Sequence, residues 1–228
     1  MRRSNFIRLR SLVLRTLATA ALVAAVGSLR GQTETPPPAP PEKTVIFFGD
    51  SLTAGYGLAD PAAEAYPALI QTQIARAGLP WRVVNAGLSG ETSSDGLRRV
   101  SWILRQPMDV FVLALGANDG LRGLSPDLLE SNLHAIIAKV RATDPGAKII
   151  LAGMRMPPSL GADYVERFAA VFPAVAREEK VGLIPFLLEN VGGHAELNQA
   201  DGIHPNAAGA EVVAATVWQA LQPLLTGR

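Results

Sequence analysis

Five short runs rich in β-branched and aromatic residues punctuate this chain: "TVIFF" (44–48), "WRVVN" (81–85), "DVFVLAL" (109–115), "KIILAG" (148–153) and "VGLIPF" (181–186). Between and after them lie longer segments whose apolar residues recur at helical spacing, near 61–77, 94–106, 126–142, 163–178 and 206–223. In the last of these Val213, Val217, Leu221 and Leu224 follow one another at steps of three and four, one face of a helix. Strand and helix in strict alternation predict an α/β domain built on a parallel sheet with helices over both faces. A chain of 228 residues, 48% of them hydrophobic, can bury one sizeable core but not two ordinary domains plus linkers. In such an open sheet, ligands sit outside the carboxyl ends of the strands, so chemically useful residues should follow strands rather than precede them.

The domain is expected to begin near Thr44 and to occupy 44–228. Residues 1–31 hold six arginines and no acidic residue, followed by the apolar stretch "TLATAALVAAVGSL" (16–29). That stretch has the length of a signal-peptide h-region and falls short of the ~20 residues of a spanning helix, so residues 1–31 are read as an export signal. Ala25, Gly27 and Ser28 offer small residues for cleavage; an uncleaved anchor is the alternative. Residues 32–43, with five prolines, read as a stiff tether. The formal charge of +1 hides an acidic body: beyond residue 31, 15 basic residues face 20 acidic ones, a net charge near −5. Such a body offers no electrostatic footprint for nucleic acid. The absence of cysteine excludes disulfides, thiolate chemistry and lipid attachment through cysteine.

The turns after the strands carry the chemistry. "GDSLTAGYG" (49–57) follows the first, "NAGLSGETS" (85–93) the second, "GANDG" (116–120) the third, and "DGIHPN" (201–206) lies between the fifth and the last helix. Hydrolysis by an activated serine needs a hydroxyl nucleophile, a base, a carboxylate to orient that base, and donors for the oxyanion. Ser51, His204 and Asp201 supply the first three, and three steps of chain from Asp201 to His204 let one turn set carboxylate beside imidazole. The backbone N–H groups of Ser51 and Gly90 and the Asn118 amide would face the developing oxyanion. Glycine at 90 admits close approach of backbone to ligand, and the glycines of 49–57 turn the chain sharply and keep the space above Ser51 open.

These four blocks, in this order, resemble the signature blocks of the GDSL/SGNH hydrolase family, and the likeness spans residues 46–206. Within that family, "VIFFGDSLTAGYGL" and "GANDGLRG" are most similar to the bacterial periplasmic branch of thioesterase I, lysophospholipase L1 and arylesterase. The resemblance implies a three-layer α/β/α sandwich over a five-stranded parallel sheet, the flavodoxin-like SGNH hydrolase fold. It implies hydrolysis of esters or thioesters through an acyl-enzyme on Ser51, with no metal or cofactor, and a periplasmic location. It also implies that "RMPPSLGADY" (155–164), with Met156 and Pro157, lines an acyl pocket; a plain connection is the other reading. The substrate would be a small-molecule ester, thioester or lysophospholipid, with an acetylated carbohydrate as the alternative; no nucleic acid and no stable protein partner is expected.

Simpler roles compete at several positions. Ser51 can be a helix cap and Asn118 a turn residue, Asp50 is read as tying its turn by accepting backbone N–H bonds, and Asp119 as structural. His134 belongs to a helix, His194 to a loop with only Glu196 nearby, and three scattered histidines without cysteine make a zinc site unexpected. An α/β-hydrolase would want Gly-x-Ser-x-Gly at the turn and a separated acid and histidine. From another class, a flavodoxin-like or phospho-receiver module shares the strand pattern, and Asp50 with Asp119 mimics an acidic pocket, but the fifth run ends in "IPF" with no lysine.

Overall fold

The computed structural model describes residues 42–227. The export signal read in 1–31 and all but the end of the tether read in 32–43 lie outside the described residues. The strands are β1 (Lys43–Gly49), β2 (Trp81–Gly87), β3 (Val110–Ala114), β4 (Lys148–Ala152) and β5 (Gly182–Ile184). The helices are α1 (Ser51–Ala54), α2 (Pro61–Glu64), α3 (Tyr66–Arg76), α4 (Ser93–Ile103), α5 (Ala117–Leu121), α6 (Pro126–Thr143), α7 (Ala162–Glu179) and α8 (Ala207–Thr226). All strands are parallel in the order β2-β1-β3-β4-β5, the doubly wound arrangement expected of the alternating pattern.

β1 is the centre of the core because neither of its faces meets water. Val45, Ile46, Phe47 and Phe48 are wholly buried, and successive side chains point to opposite faces. Phe47 meets the Tyr66 ring of α3 edge to face, with centroids 5.4 Å apart, while Phe48 lies 5.5 Å from Phe111. On the Phe48 side α4 packs on α6 and α6 on α7; on the other side α3 packs on α8.

Three expectations need correction. The helical stretch at 61–77 is two helices, parted at Ala65, which is extended (φ −62°, ψ 144°). Pro67 has no N–H to give and its ring would collide with the preceding turn, so the chain restarts with proline in the first turn of α3. The buried stripe of α8 continues through Leu225 rather than Leu224, which is partly exposed. Trp81 secures that end, its indole N–H donating to the Leu225 carbonyl at 3.2 Å. The fifth strand is only three residues long, Gly182–Ile184, because Pro185 has no N–H for the ladder.

The order reverses at β1, whose carboxyl end is flanked by β2 and β3: Gly49 is level with Gly87 on one side and Ala114 on the other. Whatever follows Gly49 therefore sits between the loops that follow β2 and β3. Gly49 has to be glycine, since a Cβ there would lie 2.1 Å from Thr53 Oγ1 and 2.6 Å from the Ala114 carbonyl oxygen. Its smallness serves packing beneath the turn, not open space above Ser51, which corrects the sequence reading.

Candidate active site

The turn from β1 into α1 is built by Asp50, the N-cap, whose Oδ1 accepts the Leu52 N–H at 3.0 Å. Ser51 is thereby the first residue of α1. Its hydroxyl lies 2.9 Å from His204 Nε2, and His204 Nδ1 lies 2.7 Å from Asp201 Oδ2. The other Asp201 oxygen accepts two backbone N–H bonds, from Ile203 at 2.9 Å and His204 at 3.0 Å. Those contacts, the His204 N–H first and its imidazole next, pull the Asp201 carboxyl down to about 2. An ionised carboxylate can only accept, so Nδ1 carries a proton, and Nε2 is the ring nitrogen that faces the Ser51 hydroxyl.

The loop bearing His204 is held by groups that the sequence reading missed. The His204 carbonyl accepts the Gln199 N–H at 2.8 Å, and the Gln199 amide donates to the carbonyls of Tyr56 and Pro205 at 2.7 and 2.9 Å. Gln199 thus ties the histidine loop to the chain just past Ser51. The Tyr56 ring lies 4.7 Å from the imidazole, centroid to centroid. Asn206 caps α8 by accepting the Gly209 N–H at 3.0 Å.

On the other side of Ser51, Leu88 to Glu91 form a tight turn closed by the Glu91 N–H on the Leu88 carbonyl at 3.2 Å. Gly90, its third residue, has φ +82°, a left-handed conformation that favours glycine. This conformational need adds to the close approach expected from sequence. Arg122 donates to the Gly90 carbonyl at 3.0 Å, and Asn118 Nδ2 to the Glu91 carbonyl at 3.1 Å. One Asn118 N–H is spent on holding the turn, which leaves the second for a ligand. Among the described residues neither the Ser51 nor the Gly90 N–H donates to the backbone.

Behind this edge lies a polar layer whose carboxylates are buried and whose Arg99 is partly exposed. Asp119 is buried and accepts from the Ser93 N–H at 2.8 Å and its hydroxyl at 2.6 Å, while Asn132 of α6 donates to the same hydroxyl at 2.9 Å. Buried Glu91 takes two bonds from Arg99, which also donates to the Ala86 carbonyl at 2.9 Å and lies over the Phe48 ring. Asp50 is sealed in with them, and its Oδ2 has no hydrogen-bond partner among the described residues. Burial, reinforced by the charges of Asp119 and Glu91, pushes the Asp50 carboxyl up to about 7 against the pull of the Leu52 bond.

A cavity of about 600 Å³ opens at the site, and Ser51, Asn118, Met156, Pro157, Phe186 and His204 are among its walls. Met156 and Pro157 therefore share a cavity with Ser51. Its lining is mostly apolar, with Leu52, Leu121 and Leu188 adding to that wall. The other histidines stand elsewhere: His134 Nδ1 lies 2.6 Å from Glu179 Oε1, and His194 lies 3.4 Å from Glu196. His134 also gathers with Glu130 and Glu178, the one His–carboxylate group close enough among the described residues to share an ion.

The chain was compared with known proteins. A model of the GDSL-like lipase/acylhydrolase family matches residues 47–212. The esterase TesA of Pseudomonas aeruginosa is 44% identical over 184 residues, 80% of this chain and 90% of that protein. Thioesterase 1/protease 1/lysophospholipase L1 of Escherichia coli is 39% identical over 187 residues, 80% of this chain and 85% of that one. A crystal structure of TesA superimposes with a TM-score of 0.76 at 43% identity, covering 80% of this chain and all of the other.

Proposed function

Because the chain belongs to the GDSL-like lipase/acylhydrolase family, we propose that Ser51 attacks the carbonyl of its substrate, with His204 as general base, Asp201 as the orienting carboxylate, and the N–H groups of Ser51 and Gly90 with the Asn118 amide as the oxyanion site. The protein is a hydrolase of carboxylic ester or thioester bonds acting on small molecules. The observation that carries the residue assignment is the continuous chain of hydrogen bonds from Ser51 through His204 to Asp201, 2.9 and 2.7 Å.

His204 Nε2 takes the Ser51 proton as Oγ bonds to the carbonyl carbon, and the oxyanion that forms is met by donors already fixed in place. The imidazolium returns the proton to the leaving oxygen or sulfur as that bond breaks, leaving an acyl-enzyme on Ser51. Water, deprotonated by the same imidazole, releases the acid. Every role is filled by a residue of the chain, and we assign no cofactor. Purified Ser51→Ala protein is expected to lose hydrolysis of nitrophenyl butyrate; retention of that activity would remove Ser51 as nucleophile.

For the substrate we favour aryl, acyl-thioester or lysophospholipid compounds with an extended acyl group, because the cavity beside Ser51 is walled by Leu121, Met156, Pro157 and Phe186. An acetylated carbohydrate would need more polar groups there than Asn118, Arg155 and Asn198 to replace water at its hydroxyls. Nitrophenyl esters from acetyl to palmitoyl, a lysophospholipid, an acyl thioester and an acetylated sugar, assayed on one preparation, decide this. A maximum at medium or long acyl chains is expected, and activity confined to the sugar would reverse the choice. We further propose export to the periplasm with removal of 1–31, with neither nucleic acid nor a stable protein partner required. N-terminal sequencing of the protein from cells tests export, and an intact Met1 in the membrane fraction would assign the uncleaved anchor instead.

A further inference from the structure

Eight large apolar side chains are exposed among the described residues, and five occupy the connections that follow the five strands, one to each. They are Tyr56 after β1, Leu88 after β2, Leu121 after β3, Leu160 after β4 and Ile203 after β5, each between 37 and 55% exposed. A single exposed leucine needs no explanation, since most protein surface is apolar in part. One on every loop of the same sheet edge, and that edge the one bearing Ser51, is a pattern. Of the other three, Leu128 lies in the first turn of α6, and Trp102 and Leu224 lie near the far ends of α4 and α8.

The ring is continuous with the cavity. Leu121 and Ile203 belong to both, beside Pro157 and Pro158, and Tyr56 lies against the His204 ring. An acyl chain entering toward Ser51 therefore leaves one apolar surface for another. Charge narrows what the ring can meet. Beyond residue 31 the chain carries 15 basic and 20 acidic residues; Arg122 donates to the Gly90 carbonyl, and Arg155, which lines the cavity, lies 3.9 Å from Glu189. Among the described residues no lysine or arginine other than Arg155 lines the cavity, so nothing there draws this edge to an anionic surface.

We propose that this ring of loop side chains docks the protein, cavity mouth inward, on a zwitterionic phospholipid surface, from which the enzyme takes its acyl-ester substrate; the last clause rests on Ser51 being the nucleophile. Docking is by shallow burial of the five side chains, so it is reversible and needs no spanning segment.

The lack of cysteine makes the test direct. Leu88→Cys, Leu160→Cys and Trp102→Cys, each labelled with a polarity-sensitive nitrobenzoxadiazole, are mixed with vesicles of non-hydrolysable diether phosphatidylcholine. A severalfold rise in fluorescence with a blue shift is expected at 88 and 160 and none at 102, whatever the N-terminal segment does. No response at 88 and 160, or an equal response at 102, overturns the proposal. So does a dimer by sedimentation that Leu88→Ser/Leu160→Ser dissolves without any vesicle signal, which would give the ring to a second copy of the chain. In activity, Leu88→Ser/Leu160→Ser is expected to lose about tenfold in apparent affinity for micellar lysophosphatidylcholine and clearly less for dissolved nitrophenyl butyrate. Equal losses on both substrates would count against docking. The failure of Ser51→Ala to abolish hydrolysis would sink the nucleophile assignment and leave the label result standing.

Discussion

Two polar regions meet at Ser51 and are built on opposite principles. The Asp201–His204 limb is local and wet: its carboxylate and imidazole are three residues apart, and Asp201 is partly exposed and held ionised by its own loop's N–H groups. The layer behind the 88–91 turn is mostly buried and joins separate elements. There Ser93 meets Asp119 and Asn132, Arg99 meets Glu91, and Asp50 is enclosed without a cation. The contrast separates two demands on one site. Under the roles proposed above, the proton carrier His204 keeps a charged and partly exposed partner, whereas the donors proposed for the oxyanion must not move, and buried, bonded groups move least. Losing the first region should therefore remove rate without stability, and losing the second should remove stability along with rate.

The largest effect is expected at His204→Ala, with kcat/KM on a nitrophenyl ester lower by roughly 10⁴-fold or more and the thermal midpoint almost unmoved. A midpoint that fell sharply would place His204 with the structural groups. Arg99→Ala leaves Glu91 buried and unpaired, and urea unfolding should report a loss of about 3–5 kcal/mol, most of it recovered in Arg99→Met/Glu91→Gln. A loss below about 1 kcal/mol would mean that water already reaches Glu91. Asn118→Ala stands between the regions: kcat should fall by about 10²–10³-fold with a small change in stability. If its stability falls as far as that of Arg99→Ala, Asn118 belongs to the buried layer and its amide is a brace.

Asp50→Asn is the smallest effect and carries a sign. Between the ordinary carboxyl value of 3.8 and the folded value of about 7, the folded state keeps a proton that the unfolded chain has released. Stability is therefore lost as pH climbs through that window, and the full cost persists above it. Asparagine retains the acceptor for the Leu52 N–H without the ionisation, so Asp50→Asn should gain stability over the parent at pH 8 and nothing near pH 3. Equal effects at both pH values would show that Asp50 ionises freely in the fold. Asp201 works the other way, stabilising above 3.8 and losing its contribution as pH falls through about 2.

How legible each region was follows from the same contrast. The five strands and the segments between them were written in short-range periodicity, and the loop 201–206 in a spacing that closes on itself within a turn. Arg99 with Glu91 and Asn132 with Ser93 leave no such mark, being 8 and 39 residues apart. Asp50 shows the limit most clearly. From sequence it ties a turn by accepting N–H bonds, and Oδ1 does so, but nothing local tells that Oδ2 is sealed beside two other carboxylates.

Residue order alone determined an α/β sheet wound from alternating runs, with four chemically loaded turns at one edge, because strand and helix periods and the strand-then-turn rule are read within about ten residues. Tertiary structure decided the rest. It brought Ser51 to His204 across 153 residues, matched Gly49 to Gly87 and Ala114 so that Ser51 lies between the loops that follow β2 and β3, and made Gln199 a tie between two limbs of the site. It also sorted the carboxylates, leaving Asp201 in water and Asp50 out of it. That division rests on desolvation, which depends on everything packed around a group and on nothing in the group's own chemistry.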